Sequence, residues 1–586
     1  MVKNSLKIFL LIVGLLGSTL SRKFPIQSYT IIVFLAGLLL VFYLSTLINL
    51  KRSDSKLIVP TTLSTLYILF LSWSAIGCFY SADPEKSLYI TILSLSTILL
   101  YLGLTLHIKS LIQVENILKI LICFGGMLAL VGIFQQFPLA ILKNLTQNTG
   151  NNSTSIFIHK NIFSGYLLLL IPLACFIFLD SFSRFWKIIS GSTFILFLTA
   201  LIFTGSRGGQ LVGIFSLFII TGYLILNNEL KIAKILVLGV LISIVLYFII
   251  DPIAKTLQMN NSAFIDSRAS LIDLAEPKHW RGQQWFNRIL FWQGGWEIFK
   301  DHWFLGSGPN TFELLFPKYY LNFNPVIEKQ ILTSGAPPHA HNIFVQTASD
   351  SGAVGIGLIL AFCVVFYMRA YNLFRRQSQE KRSIIFFFGL SVTCFLFHNL
   401  VEYNWYGPIF IYQFTFFIFV IDFIWRQKFK KKTNNPSNRS ILTPLITGVI
   451  VVPLTLMLSI QYYKFNTIFY EDIFYTINPK KLSSLVLRIQ QYCPRCDRPH
   501  MQMALNILQS YKIYSNEENL ALAKKELLKG QKLNPYNPEY KGYLAQIYSV
   551  QGEHVRALPL LKEALIYSKT HYIKNFGLGA ALSNGK

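Results

Sequence analysis

The chain is 586 residues long, 53% hydrophobic and only 14% charged, with a formal net charge of +26. This balance excludes an all-soluble enzyme, because many apolar runs are long enough to cross a hydrocarbon core of roughly 30 Å, which takes about 20 helical residues. It also argues against a nucleic-acid partner, since much of the positive charge lies in short connections between apolar runs, where Lys and Arg set orientation.

In chain order the runs predict about thirteen spans, near 6–20, 29–49, 58–79, 87–106, 116–136, 161–180, 186–204, 209–227, 231–250, 343–371, 383–403, 407–425 and 440–462. The first follows Lys3 and Lys7 and imitates a secretory signal. A second span follows at once, so it reads as a retained helix. The connection 372–382 carries Arg375, Arg376, Lys381 and Arg382, and 426–439 is more basic still, so both are expected on the cytoplasmic side. Counting outward from them makes the N-terminus cytoplasmic and puts 251–342 and everything after 462 outside; only Arg22 and Lys23 dissent. The expected organisation is all-α: a polytopic membrane helix bundle over 1–462 with 251–342 as its long periplasmic loop, then a soluble helical-repeat domain over 463–586.

The loop 251–342 has eight Lys/Arg and eight Asp/Glu, without positive bias, and holds five of the nine tryptophans. Ordering a connection this long has an entropic cost that a function normally offsets. Trp280, Trp285, Trp292, Trp296 and Trp303 suit an interfacial lid, a cap that stacks on sugars, or both.

Three residues around this outer face could carry chemistry. Arg207 sits in Thr204-Gly205-Ser206-Arg207-Gly208-Gly209, the tight connection between the seventh and eighth spans. Taken alone it reads as a snorkelling anchor. Arg288 opens an amphipathic stretch that ends before Gly306-Ser307-Gly308-Pro309-Asn310; alone it reads as a surface charge or a cation on Trp292. His341, in Pro337-Pro338-His339-Ala340-His341-Asn342, precedes the tenth span, where a helix N-terminus favours an anion and a neutral imidazole. Two cations and one potential base on one membrane face suit the departure of a diphosphate: fixed arginines neutralise its growing charge while the base takes a proton from an incoming hydroxyl. No D-x-D occurs in the chain, so a metal-chelated nucleotide-sugar donor is unsupported and a lipid-linked one is favoured, with no metal or cofactor expected. His398 and Glu402 are four apart and are expected on one helix face near the outer end of the eleventh span, as a buried pair or an acceptor-binding pair.

In the tail Ala523, Leu527 and Gly530 recur 34 positions later as Ala557, Leu561 and Ala564, which is the tetratricopeptide period. Two units are visible, Pro535 closing the first, and 466–513 is expected to add a degenerate helical pair. Such a tail either stabilises the outer face or binds a periplasmic protein partner. Cys493-Pro494-Arg495-Cys496 has C-x-x-C spacing with no second pair for zinc; a local disulfide is favoured over free thiols.

Several of these pieces, in this order, resemble the O-antigen ligase-like (Wzy-C) superfamily of bacterial membrane proteins. They are Ala82-Asp83-Pro84, Asn161 with Phe163 and Gly165-Tyr166, Gly205-Ser206-Arg207-Gly208-Gly209, Arg288 with Trp292, Gly306-Ser307-Gly308, and His341-Asn342-Ile343-Phe344 followed by Gly352. The resemblance covers roughly 80–420, and the tail looks like one seen in many members. It implies a metal-independent glycosyltransferase of the all-helical membrane (glycosyltransferase-C-like) type, acting at the outer face of the bacterial inner membrane on an undecaprenyl-diphosphate-linked glycan. It further implies His341 as base and Arg207 and Arg288 as diphosphate clamp, with His339 a weaker candidate; Asn161 and Asn342 beside these motifs, and the spaced pair His398 and Glu402, are expected as supporting or acceptor-binding residues. The acceptor could be a lipid A core, a growing glycan or a protein hydroxyl. The tail tilts the choice towards a polymerase or a non-standard ligase. The competing class is a transporter or assembly scaffold, for which broken helices or an internal repeat would be expected, and neither is clear in the sequence.

Overall fold

In hydrocarbon a backbone N–H or C=O finds no water, so each apolar run must satisfy its own polar groups as a helix. A computed structural model describes residues 61–137, 153–157, 159–259, 283–320, 337–429, 439–473, 476, 478–514, 517–535 and 537–567. The two first expected spans and Trp280 lie outside the described residues. The described helices are α1 (Thr62–Ile76), α2 (Pro84–His107), α3 (Leu111–Phe134), α4 (Lys160–Asp180), α5 (Arg184–Phe203), α6 (Arg207–Leu226), α7 (Leu230–Met259), α8 (Gln283–Asp301), α9 (Phe312–Tyr320), α10 (Ile343–Arg376), α11 (Gln379–His398), α12 (Pro408–Phe429), α13 (Arg439–Thr467), α14 (Pro479–Gln490), α15 (Arg498–Tyr514), α16 (Glu517–Leu533), α17 (Pro538–Val550) and α18 (His554–Tyr567). No strand occurs among the described residues. The protein is an all-α bundle.

Among the described residues ten helices, α1 to α7 and α10 to α12, are long and apolar enough to cross a membrane. α4 is central: Leu167 to Ile171 are all fully buried, and it packs on α3, α5, α6 and α11. α6 and α7 are peripheral and turn Leu211, Ile214, Phe218, Leu238, Leu241 and Val245 outward, as lipid-facing helices do. At the basic end of the bundle, buried Asp422 of α12 accepts hydrogen bonds from Thr61, Arg369 of α10 and Tyr101 of α2 (the last at 2.6 Å), and pairs with Arg426. One carboxylate thus ties three helices and the cap of a fourth.

No broken helix was clear in the sequence, yet α10, which covers the expected span 343–371, is broken at Gly352, with φ +63 and ψ −163. The segment Trp303–Gly308 enters the break. Ala353 N–H donates to Trp303 O at 2.7 Å, Ser307 N–H to Ser349 O at 2.9 Å and Gly308 N–H to Asp350 O at 3.0 Å. A Cβ on Gly352 would lie 2.2 Å from Phe304 O, and one on Gly306 (φ +84) 2.3 Å from Asp350 O, so both positions demand glycine sterically as well as conformationally. Protein fills the break and satisfies backbone groups that it frees.

The expected domain boundary at 462/463 falls inside α13, whose end shares a core with the tail: Phe465, Ile468, Phe469 and Ile473 pack with Leu482, Ile489, Ile507 and Leu527. α15 with α16 and α17 with α18 form helical hairpins, and Cys493 and Cys496 are disulfide-bonded. The tail docks on the α1–α2 connection. Arg498 meets Glu85 at 2.7 Å and lies 4.5 Å over Phe469, while Arg495 donates to Phe79 O and, at 3.1 Å, to Ser81 O.

Candidate functional site

The end of the bundle that carries the docked tail also carries the starts of α2, α4, α6 and α10 and the end of α11. Ala82 N–H donates to Ser307 O, Lys160 Nζ to Gly205 O at 3.2 Å, and Ile343 N–H to Asn399 O at 2.8 Å, so these segments touch one another. The site forms here because three chain segments converge on one buried carboxylate.

That carboxylate is Glu402. Its Oε1 lies 2.7 Å from His341 Nδ1 and accepts the Tyr403 N–H at 3.2 Å. Its Oε2 accepts from the Asn161 amide and lies 3.5 Å from Arg288 Nη2. Burial alone would raise the Glu402 carboxyl, but the charge and hydrogen bond of His341, with His339 and Arg288 adding theirs, hold it well below the usual carboxylate range. An ionised carboxylate only accepts, so His341 Nδ1 carries the proton and, in the neutral ring, Nε2 is the nitrogen with a lone pair.

His341 stands just before α10 with φ +52, in the left-handed region that a non-glycine residue enters at a cost of about 1 kcal/mol or more. Its ring stacks on Phe291 of α8 (centroids 5.6 Å apart, planes at 25°) and meets the His339 ring at 4.2 Å. His339 also contacts the Tyr403 ring at 5.6 Å. Asn342 caps α10, its Oδ1 accepting from Phe344 N–H (2.9 Å) and Val345 N–H (3.1 Å), and its amide donates to Leu400 O at 3.0 Å. It positions the turn and the connection 399–407 at once.

Arg288 lies on α8 with its side chain mostly buried, and Nε donates to Val401 O at 2.6 Å. Burial lowers its affinity for the proton and Glu402 opposes that, so the guanidinium stays charged. Arg207 is the first residue of α6, after the Ser206 cap; Ser164 of α4 bonds Ser206 Oγ at 3.1 Å, and Arg207 lies within electrostatic reach of Lys160. The structure therefore brings His341, His339, Arg288, Asn161 and Glu402 into direct or next-neighbour contact and sets Arg207 at the same end of the bundle.

The helix-face pairing of His398 with Glu402 does not hold. α11 ends at His398, Asn399 takes its C-cap, and Asn399 Oδ1 accepts from Asn404 N–H at 2.7 Å, which winds 399–407 into an irregular connection before Pro408 opens α12. His398 turns into the bundle, with Nε2 3.3 Å from Ser164 Oγ and Nδ1 3.4 Å from the Asn404 amide. Glu402 instead reaches His341, 61 residues away in the chain.

Sequence reasoning passed over Phe291, His159 and Lys160. His159 caps α4, accepting the Asn161 N–H on Nδ1 at 3.2 Å, and lies within electrostatic reach of Glu402, His341 and Arg288. The signal for this pair was a lysine directly before a predicted span at the end opposite the basic connections, where lysine is uncommon. His339, His341 and Glu402 also present three ligand atoms within 4.8 Å of one another, a spacing that could hold a metal ion. Both oxygens of Glu402 already accept hydrogen bonds and Arg288 stands beside it, so a cation would have to displace these partners.

A family model for the O-antigen ligase domain, Wzy_C, matches residues 192–360, a segment that includes Arg207, Arg288 and His341. No curated protein matches the chain. The match supports a glycosyltransferase-type function in a membrane. With ten helices fit to cross a bilayer among the described residues and this match in their midst, the chain is a multi-pass membrane protein that carries an O-antigen ligase (Wzy_C) domain at residues 192–360.

Proposed function

We propose that the protein transfers a glycan from an undecaprenyl-diphosphate carrier to an acceptor hydroxyl at the periplasmic face of the bacterial inner membrane. The observation that carries this reading is the His341–Glu402–Arg288 cluster, a base oriented by a buried carboxylate beside a fixed guanidinium. In the reaction the acceptor oxygen attacks the anomeric carbon, and the bond from that carbon to the carrier's phosphate oxygen breaks. His341 Nε2 takes the hydroxyl proton, and Glu402 stabilises the imidazolium so formed. The electron pair leaves on the diphosphate, where Arg288 and Arg207 neutralise it without reorganising. One displacement inverts the anomeric configuration.

Asn161 holds Glu402, Asn342 holds the His341 turn, and His339 shapes the acceptor side. His398 supports the bundle behind them. The acceptor is a lipid A core, a growing glycan or a protein hydroxyl, and a tetratricopeptide-like tail docked at this end favours an extended or protein-assisted acceptor. The charge pattern supports an N-terminus in the cytoplasm and the tail in the periplasm. The test is to incubate purified protein in lipid with a carrier-linked glycan and each acceptor class, and to identify what the sugar becomes attached to. Release of undecaprenyl diphosphate coupled to one glycosylated acceptor is expected. Unaltered carrier with every acceptor, from protein that remains folded, would end this reading.

A further inference from the structure

We infer that Gln346, Asp350 and Tyr406 form a positioning relay that holds the His339–His341 turn and couples it to the Gly306–Asn310 loop; the inference rests on the transfer reading above, in which His341 is the base. Gln346 lies one turn inside α10 and is fully buried. Its Oε1 accepts the Ala340 N–H at 2.7 Å, and its Nε2 donates to Asp350 Oδ2 at 3.0 Å. Ala340 is also fully buried, so no water can replace that acceptor. Asn342 already caps α10, so Gln346 is not needed to start the helix.

Asp350 sets which way the Gln346 amide points. Its Oδ2 also accepts from the Tyr406 hydroxyl and from Asn310 N–H at 3.1 Å, which leaves the nitrogen of Gln346 to face the carboxyl and the oxygen to face Ala340. Asp350 is fully buried and its Oδ1 has no hydrogen-bond partner. A buried carboxyl with an unused oxygen is a poor way to stabilise a helix bundle, and such groups are retained where they hold a functional geometry. The carbonyl of Asp350 accepts Gly308 N–H at the break in α10, so the loop, the break and the turn before His341 are joined by one hydrogen-bond network.

The test uses the full chain in lipid vesicles with a carrier-linked glycan, measuring kcat, the donor KM and the rate at which diethyl pyrocarbonate modifies His341, read by mass spectrometry. Gln346→Leu is expected to lower kcat about 100-fold with donor KM within about twofold, and to speed modification of His341 as the ring leaves Glu402. Asp350→Asn, which keeps an acceptor oxygen in place, should recover most of the activity that Asp350→Ala loses. If Gln346→Leu does not accumulate, Tyr406→Phe, which removes one hydrogen bond at constant shape, should lower kcat about 10-fold. A Gln346→Leu or Tyr406→Phe protein with unchanged kcat and unchanged His341 reactivity overturns the relay. His341→Ala, run in parallel, separates the two ideas: if it is inactive while Gln346→Leu is fully active, only the relay fails, and if it is active, the transfer reading itself fails.

Discussion

An imidazole acts as a base only while one nitrogen keeps its lone pair, and Glu402 decides which one by taking the proton of the other. Replacing Glu402 with Gln removes the ionised acceptor while keeping the shape, and transfer is expected to slow about 100-fold with membrane abundance near wild type, measured as initial rate per folded protein. The same carboxylate makes a signature in stability. It is held well below its ordinary value of 4.5 by its neighbours, so the stabilisation it adds is complete above about pH 4.5 and is lost as pH falls towards the depressed value. The difference in melting temperature between wild type and Glu402→Gln should therefore shrink as the pH falls below about 4.5. A chelator should leave transfer unchanged, because the oxygens a metal would need at Glu402 are already bonded. At this scale the sequence was legible for which residues share an end of the bundle and less so for partners. Lys and Arg in short connections sort the two ends of the bundle, which was enough to group Arg207, Arg288 and His341. The true partner of Glu402 was not legible, because a helix-spacing argument assumes a helix, and α11 ends four residues too soon.

Elements here are fixed by a few polar contacts inside an apolar bundle. Gly352→Ala adds a Cβ at 2.2 Å from a backbone oxygen at a positive φ, and a loss of at least about 1–3 kcal/mol is expected, seen as lower abundance and earlier thermal unfolding. At the opposite end, Asp422→Ala leaves Arg369 and Arg426 buried without their carboxylate, which costs about 3–5 kcal/mol. The Asp422 variant should be less stable while the donor KM of the surviving protein is unchanged, and a raised KM would show that this cluster communicates with the site. Apolar runs announced the helices well, since each must satisfy its own backbone. They hid the break in α10, because Gly352 in a run of small and apolar residues looks like any helical glycine, and what makes it necessary is a loop more than forty residues earlier. Asp350 and Asp422 were likewise silent, because nothing local reveals a buried partner.

On the scale of the whole molecule, the tail, the loop and the site share one end. Arg495 and Arg498 hold the tail on the α1–α2 connection, and Ala82 N–H in that connection bonds Ser307 O of the loop that fills the break in α10. Glu85→Arg should release the tail to limited proteolysis, and adding Arg498→Glu should restore protection, since the pair is partly buried and specific in geometry. The C-x-x-C spacing foretold the disulfide correctly, whereas the docking it accompanies depends on carbonyl oxygens that no motif advertises. The central proposal is that His341 is the base of a glycosyl transfer whose leaving diphosphate is neutralised by Arg288 and Arg207. The most direct measurement is the initial rate of glycan transfer from a carrier-linked donor by His341→Ala, Arg288→Ala and Arg207→Ala proteins, each matched to wild type in folded amount. The account predicts loss of at least about 100-fold in each, and transfer at the wild-type rate by the His341 variant would contradict it.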